Sequence, residues 1–140
     1  MAATNSSTNA GLQNLSQNQA IRLLGVKRGV NLNATGDTVI PMIATANYSV
    51  SNVILTNASI SLTTAAAGLF SATAAGGTAV VANAVLSAAT GPTIVSQRTV
   101  ASTAQLTVPN LYFNVATAQG AAATGDVYVY GYDFSGVGNQ

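Results

Sequence analysis

The sequence predicts an all-β chain folded as a β-sandwich and, among sandwiches, a jelly roll. Short runs rich in valine, isoleucine, threonine and tyrosine recur along the chain, which is typical of strands. Glycine, proline, asparagine and aspartate separate these runs at intervals of roughly ten residues, as turns do in sandwiches. Several runs alternate apolar and polar residues, which indicates one buried face. Roughly eight or nine such strands fit the two layers of a jelly roll.

The chain divides into an arm and one domain. Residues 1–20 are Asn, Gln, Ser, Thr and Ala with isolated leucines, which is too little apolar surface to offset the entropy of ordering. We expect a flexible or extended arm, and two readings stay open: a segment that a partner orders, or a disordered terminus. Residues 21–140 are predicted to form a single β-sandwich domain, since this length suits one core.

The first strand candidates follow the arm. Residues 21–30 open the structured part and hold three of the four basic residues. Residues 38–43 are a strand candidate that Pro41 restricts to a sheet edge or a bulge. Residues 48–55 are enriched in valine, isoleucine and tyrosine, and residues 59–63 alternate polar and apolar side chains.

Residues 63–90 are rich in alanine and allow two interpretations. Segments 68–73 and 78–86 flank the glycine pair at 76 and 77, which predicts a hairpin. A helix is the alternative, because alanine favours helices. Four residues would form one face of that helix: Val81, Ala84, Val85 and Ala88. The glycines and the density of valine and threonine favour strands.

The second half of the domain contains four further strand candidates, at residues 93–100, 104–108, 111–115 and 126–134. The second and third alternate regularly in hydrophobicity. An Ala-Thr-Gly-Asp sequence occurs twice, at residues 34–37 and 123–126, and leads into a strand each time. We expect each aspartate to bond the local backbone of its turn.

The charge content is unusually low. Charged residues make up 5% of the chain and the net charge is +1, against roughly 25% charged residues in ordinary soluble domains. So small a charge steers weakly toward nucleic acid or anionic membrane and repels other copies weakly. The first residues have neither a basic region nor an apolar core, so no signal peptide is expected. The composition predicts a protein that works inside an assembly.

Catalysis and cofactor binding are not expected. The chain has no histidine, no cysteine and only three carboxylates, Asp37, Asp126 and Asp133, so the usual bases, thiol nucleophiles and zinc ligands are missing. If Asp126 and Asp133 bracket one strand, they lie on opposite faces and roughly 20 Å apart. Asp37 and Asp126 would make a poor calcium cage. We therefore expect no enzyme, no metal and no small-molecule substrate.

Two groups of residues are candidates for contacts with other proteins. Aromatic rings occupy every second position near the end of the chain, and small apolar residues lie between them. Either these rings form a subunit interface, or one face of the strand fills the sandwich core and the other lies under a loop; the rings are Tyr128, Tyr130, Tyr132 and Phe134. The second group is the only cluster of charge, Arg22, Lys27 and Arg28, which is either a solvated face or a contact with an acidic patch of a partner protein.

One long run carries a resemblance to a known family: NATGDTVIPM…YSVSNVILTNASISLTTAAAGLFSATAAGGTAVVANAV…LYFNVATAQGAAATGDVYVYGYDF. Between about residues 30 and 134 it resembles head decoration (cement) proteins and related capsid-surface proteins of tailed bacteriophages. The resemblance rests on Ala/Gly/Thr-rich strands and the ATGDVYVYG-type ending. It implies a jelly-roll subunit, a homotrimer on the capsid, and clamping of neighbouring major capsid proteins. It also implies a location on the virion surface after synthesis in the host cytoplasm.

Two other functions remain open at this point. A receptor- or glycan-binding module of a spike or tail fibre would use an exposed Tyr48 or Tyr112 to stack on sugar. A major subunit of the shell or tail tube would assemble unaided. The sequence leaves open the oligomer number, the identity of the capsid partner and the face that meets it.

Overall fold

Strands provide all the regular secondary structure in the part of the chain that the structure, a computed structural model, describes, namely residues 21–43 and 47–134. No helix occurs in these two segments. The eight strands in chain order are β1 (Arg22–Asn31), β2 (Gly36–Pro41), β3 (Tyr48–Thr56), β4 (Ala66–Ala72), β5 (Gly76–Val85), β6 (Ser96–Arg98), β7 (Asn110–Thr117) and β8 (Thr124–Asp133).

The strands form two antiparallel sheets of four strands each, with the orders β1-β8-β3-β6 and β2-β7-β4-β5. Strands from the two halves of the chain pair in reverse order: β1 with β8, β2 with β7, β3 with β6 and β4 with β5. Two further pairings, β3 with β8 and β4 with β7, complete the sheets. The predicted all-β sandwich is confirmed.

The core lies between the inner faces of the two sheets. It is built from aliphatic residues at alternate strand positions, as a strand with one buried face requires. Leu24, Ile40, Val53, Leu69 and Val129 are each at most 1% exposed. Because they come from β1, β2, β3, β4 and β8, the burial of one common core holds the two sheets together.

The alanine-rich segment forms strands, so the helix alternative for residues 63–90 is excluded within the described residues. β4 and β5 pair as a hairpin around a tight turn in which Ala74 and Ala75 both have a φ of 56°. Gly76 closes this turn with a 3.0 Å hydrogen bond from its N–H to the Thr73 carbonyl. Gly77 follows with a φ of 68°, a conformation that favours glycine. Turn geometry at the glycine pair therefore outweighs the helix propensity of alanine.

Three predicted strand segments are shorter than expected or absent. Only Ser96–Arg98 of segment 93–100 forms a strand, and segment 104–108 makes an isolated bridge between Leu106 and Tyr48. Residues 59–63 belong to no strand, because their polar groups are held by other partners. The Gln119 amide, for example, donates a 3.4 Å hydrogen bond to the Ser61 carbonyl.

Pro41 ends β2, an edge strand of its sheet, as its missing N–H predicts.

We expect Gly131→Ala to destabilise the fold. Gly131 faces the core on β8, and an added Cβ would collide with the Ser49 carbonyl oxygen and lie 2.9 Å from Leu24 Cδ1. Because the colliding atom belongs to the backbone, relaxation is costly, and the free energy of unfolding should fall by about 1–3 kcal/mol or more. Gly91→Ala is the matched control, since a Cβ there meets nothing within 4 Å. Equal stability of both variants in urea unfolding would contradict this packing.

Candidate functional site

The aromatic residues of β8 point away from the core. Val127 and Val129 are fully buried, whereas Tyr128, Tyr130 and Tyr132 are half-buried on the outer side of the sheet. β8 lies between β1 and β3, so the tyrosines occupy the middle of the sheet surface. The valines of β8 therefore fill the core, and the tyrosines do not.

The neighbours of these tyrosines are apolar on β1 and mixed on β3, where Asn52 lies opposite Tyr130 and Ser49 lies opposite Tyr132. Directly opposite residues of paired strands share a face. Tyr128 is opposite Val26 on β1 and Ile54 on β3, and Tyr130 is opposite Leu23 on β1. These three apolar neighbours are half-buried. We call the surface formed by Leu23, Val26, Ile54, Tyr128, Tyr130 and Tyr132 the tyrosine face; these six residues are uncharged, and Asp126 is the next residue on the same face of β8.

Phe134 extends the row of rings beyond β8. Its ring lies nearly parallel to that of Tyr132, with an interplanar angle of 15° and centroids 6.2 Å apart. The Phe134 N–H donates a 2.8 Å hydrogen bond to the Asn47 carbonyl, which fixes the backbone where the strand ends. The structure therefore brings all four predicted aromatic residues onto one side of the sheet.

The two tyrosines predicted as sugar platforms have different environments. Tyr48 is 0% exposed, and its hydroxyl donates a 2.8 Å hydrogen bond to the Val108 carbonyl. The prediction of an exposed Tyr48 is wrong, because this first residue of β3 faces the core. Tyr112 is half-buried on the other sheet, opposite Val39 and Phe70. It remains available for contact.

The three predicted contact cations do not form one cluster. Arg22 begins β1 and pairs with Asp133, with 3.7 Å between Nη1 and Oδ2. Lys27 and Arg28 lie further along β1 and are exposed. Lys27 is five residues from Arg22, which is roughly 17 Å along an extended strand. Charged residues on an edge strand also discourage pairing with another sheet, and β1 is an edge strand.

The aspartates of the two Ala-Thr-Gly-Asp sequences bond distant groups, not the local backbone as expected. Asp37 accepts hydrogen bonds of 2.7 Å from the Ala74 N–H and 2.8 Å from the Asn114 amide. Asp126 accepts two bonds of 2.8 Å, from the Gly29 N–H and the Asn57 amide.

Asp37 thus ties the β4–β5 turn to β7, and Asp126 ties an irregular part of β1 to the segment that follows β3. The sequence does not predict the positive φ of the two donors, 56° at Ala74 and 64° at Gly29.

The position of Arg98 does not follow from any pattern in the sequence. This residue extends from β6 of one sheet to β5 of the other, where Nη1 donates 3.1 Å to the Val85 carbonyl and Nη2 donates 3.2 Å to the Ala84 carbonyl. Burial lowers the pKa of Arg98 from its usual value. The only signal in the sequence is isolation, because Arg98 is the one charged residue between Asp37 and Asp126.

The described residues contain no group of three or more potential metal ligands. Within the same segments, no helix is long and apolar enough to cross a membrane. The chain matches no protein-family model, no curated protein and no solved structure.

Replacement of Tyr48 by phenylalanine should alter both stability and its pH dependence. Burial raises the pKa of Tyr48 to about 12 from 10.0, so the folded state holds the neutral phenol after the unfolded state has ionised. The resulting stabilisation is complete below pH 10 and is lost as the pH rises from about 10 to about 12. At neutral pH, Tyr48→Phe should cost about 1 kcal/mol, because the Val108 carbonyl loses its donor.

Urea unfolding of both proteins at about pH 8 and about pH 11 separates the two effects. The wild type should lose more stability than Tyr48→Phe over this interval, since the other ionisable groups are common to both. Parallel losses would show that Tyr48 does not govern this alkaline transition.

Proposed function

We propose that the protein is a virion structural protein that decorates and stabilises a bacteriophage capsid as a homo-oligomer. The observation that carries this proposal is the tyrosine face, an uncharged aromatic surface on the outside of a sheet. Such a surface needs a partner that is apolar yet offers acceptors to the tyrosine hydroxyls, which is what a subunit interface supplies. The resemblance to head decoration proteins agrees with this proposal.

The sandwich is, in this proposal, a jelly roll. The pairing of β1 with β8, β2 with β7, β3 with β6 and β4 with β5 supports it. A chain folded as one long hairpin, with its turn between β4 and β5, and then rolled into two sheets would have these pairs. Rolling also accounts for the neighbours β3 and β8 in one sheet and β4 and β7 in the other.

In the assembly, a homotrimer on the capsid would use the tyrosine face and Phe134 between its own copies. The sequence-based candidates for contact with the major capsid protein are Arg22, Lys27 and Arg28. Arg22 is already paired with Asp133, so Lys27 and Arg28 are the freer of the three. The proposal includes no enzymatic activity, cofactor, nucleic acid, membrane or small-molecule substrate, and places the protein on the capsid surface.

Residues 1–20 lie outside the described residues, and their role as an arm stays a prediction. An arm that orders on binding would add contact area at an entropic cost. Several weak contacts made at once by a trimer would then hold the subunit firmly.

A receptor- or glycan-binding module is the second candidate. The nearly parallel rings of Tyr132 and Phe134 favour it, because aromatic side chains are common in ligand sites. Specific binding on a glycan array that is lost in Tyr132→Ser, with no affinity for capsids, would replace the capsid proposal. A major subunit of the shell or tail tube would differ from a decoration protein and from a glycan-binding module because it would self-assemble unaided.

Replacement of two central rings, Tyr130→Ser with Tyr132→Ser, should dissociate the oligomer. Both side chains lie on the outer side of the sheet and outside the core, so the fold should survive, while the two substitutions remove apolar contact area from the tyrosine face. Light scattering should then give a mass close to the 13.9 kDa monomer. Tyr112→Ser on the other sheet is the matched control and should leave the mass unchanged. An unchanged mass in the double variant would remove the tyrosine face from the interface.

The oligomer should also be insensitive to salt. None of the six residues of the tyrosine face is charged, and the neighbouring Asp126 is already hydrogen-bonded to Gly29 and Asn57, so screening has little to act on. The light-scattering mass should stay constant from roughly 0.1 M to 1 M sodium chloride, where the Debye length falls from about 10 Å to about 3 Å. Dissociation at high salt would indicate that ion pairs hold the copies together.

A further inference from the structure

A cleft of about 220 Å³ lies where β5 of one sheet approaches β6 of the other. Its apolar lining comes from Val81, Ala84 and Ala101, and its polar lining from Gln97, Arg98 and Thr99. Beside this cleft, the segment that follows β6 is bonded to β5: the Ala101 N–H donates a 2.7 Å hydrogen bond to the Val80 carbonyl. We call this feature the Arg98 cleft.

The guanidinium of Arg98 is held in place within this cleft. Its two bonds to the carbonyls of Ala84 and Val85 orient it against β5. A guanidinium has five N–H donors, so these two bonds leave donors for a further acceptor. A fixed, planar fork of this kind suits a carboxylate better than a mobile lysine would.

Arg98 differs from the other unpaired cations in its surroundings. Lys27 and Arg28 are exposed, and water solvates their charges. Arg98 is only partly exposed, and burial lowers its pKa, because its positive charge has lost part of its hydration. A partly desolvated charge gains more from a counter-ion than an exposed one.

No side chain of the same subunit can supply that counter-ion. The sequence contains three aspartates and no glutamate. Asp37 is bonded to Ala74 and Asn114, and Asp126 is bonded to Gly29 and Asn57. The third, Asp133, is paired with Arg22. A second copy of the chain brings the same three engaged aspartates, so a side-chain carboxylate for Arg98 would come from a different protein.

We propose that the Arg98 cleft binds the side-chain carboxylate of an aspartate or glutamate on a different protein. The cleft is smaller than the roughly 300–1,000 Å³ of small-molecule sites, so it fits one side chain better than a whole ligand. Its alanines and valine suit the methylene groups of that side chain, and Gln97 and Thr99 provide polar groups beside Arg98. That this protein is a capsid subunit rests on the proposed function; the carboxylate preference does not.

The test is an NMR titration of the full-length, ¹⁵N-labelled protein with N-acetyl-glutamate N-methylamide. The matched control ligand is N-acetyl-glutamine N-methylamide, which has the same shape without the charge. We expect saturable shifts of the Gln97, Arg98 and Thr99 amides with the charged ligand alone. Absence of saturable shifts, equal shifts with both ligands, or shifts confined to Lys27 and Arg28 would overturn the proposal.

Two variants test the role of the guanidinium. Arg98→Met should weaken binding of the charged ligand by about tenfold or more, as loss of a charge-assisted hydrogen bond does, and Arg28→Met should leave it unchanged. If Arg98→Met does not fold, Arg98→Lys keeps the charge without the fork and should bind more weakly than the wild type. Binding that survives in every folded Arg98 variant would overturn the proposal.

Light scattering on the same samples separates this proposal from the proposed function. The Arg98 variants should keep the wild-type oligomer mass, because Arg98 lies opposite the buried Val53, whereas Gln97 is the cleft residue opposite Ile54 of the tyrosine face. An Arg98 variant that no longer binds the carboxylate should therefore still form the oligomer. If the protein proves to be a monomer, the NMR titration still tests carboxylate binding by the cleft.

Discussion

The register of β8 determines both the core and the outer surface of the first sheet. β8 pairs with β1 on one side and with β3 on the other, so it fixes the alignment of three strands. Val127 and Val129 are buried because Tyr128 and Tyr130 point outward. A shift of one residue would exchange the two faces, placing tyrosines in the core and valines in solvent. Core packing and the tyrosine face are thus two results of one alignment.

Scarcity of charge explains why the few ionised groups have structural roles. The carboxylates of Asp37 and Asp126 each accept hydrogen bonds from a backbone N–H at a position of positive φ and from an asparagine amide. Hydrogen bonds to a charged acceptor are stronger than those between neutral groups, so each aspartate links two distant segments of the chain. Arg98, in contrast, donates hydrogen bonds to carbonyls of β5, which is an edge strand. These bonds also protect that edge from pairing with another sheet.

Local patterns predicted the strands well but not their partners. Segments 48–55, 111–115 and 126–134 became β3, β7 and β8, because alternation reports which face of a strand is buried. Segment 104–108 alternates equally well, yet only Leu106 forms a bridge. Alternation records burial of one face and contains no information about a neighbouring strand that could complete a ladder.

The same lack of information about distant partners affects the prediction of the candidate sites. The four aromatic residues near the end of the chain were predicted as a group because they share one strand. The prediction of an exposed Tyr48 is wrong because its burial is accompanied by a hydrogen bond to the Val108 carbonyl, sixty positions away in the sequence. The hydrogen bonds of Arg98 could not be predicted for a similar reason. Its partners Ala84 and Val85 belong to the opposite sheet, and only the folded chain brings them within reach.

The distribution of charge separates contacts between copies from contacts with other proteins. The six residues of the tyrosine face are uncharged, so none of them becomes an unpaired ion when this face is buried against an identical surface. The Arg98 cleft cannot be satisfied in this way, because each copy brings only aspartates that are already bonded. A carboxylate from another protein would complete the hydrogen bonding of Arg98, whereas another copy would bury its charge without compensation. The same shortage of acidic residues that favours self-association through one surface therefore reserves the other surface for a different partner.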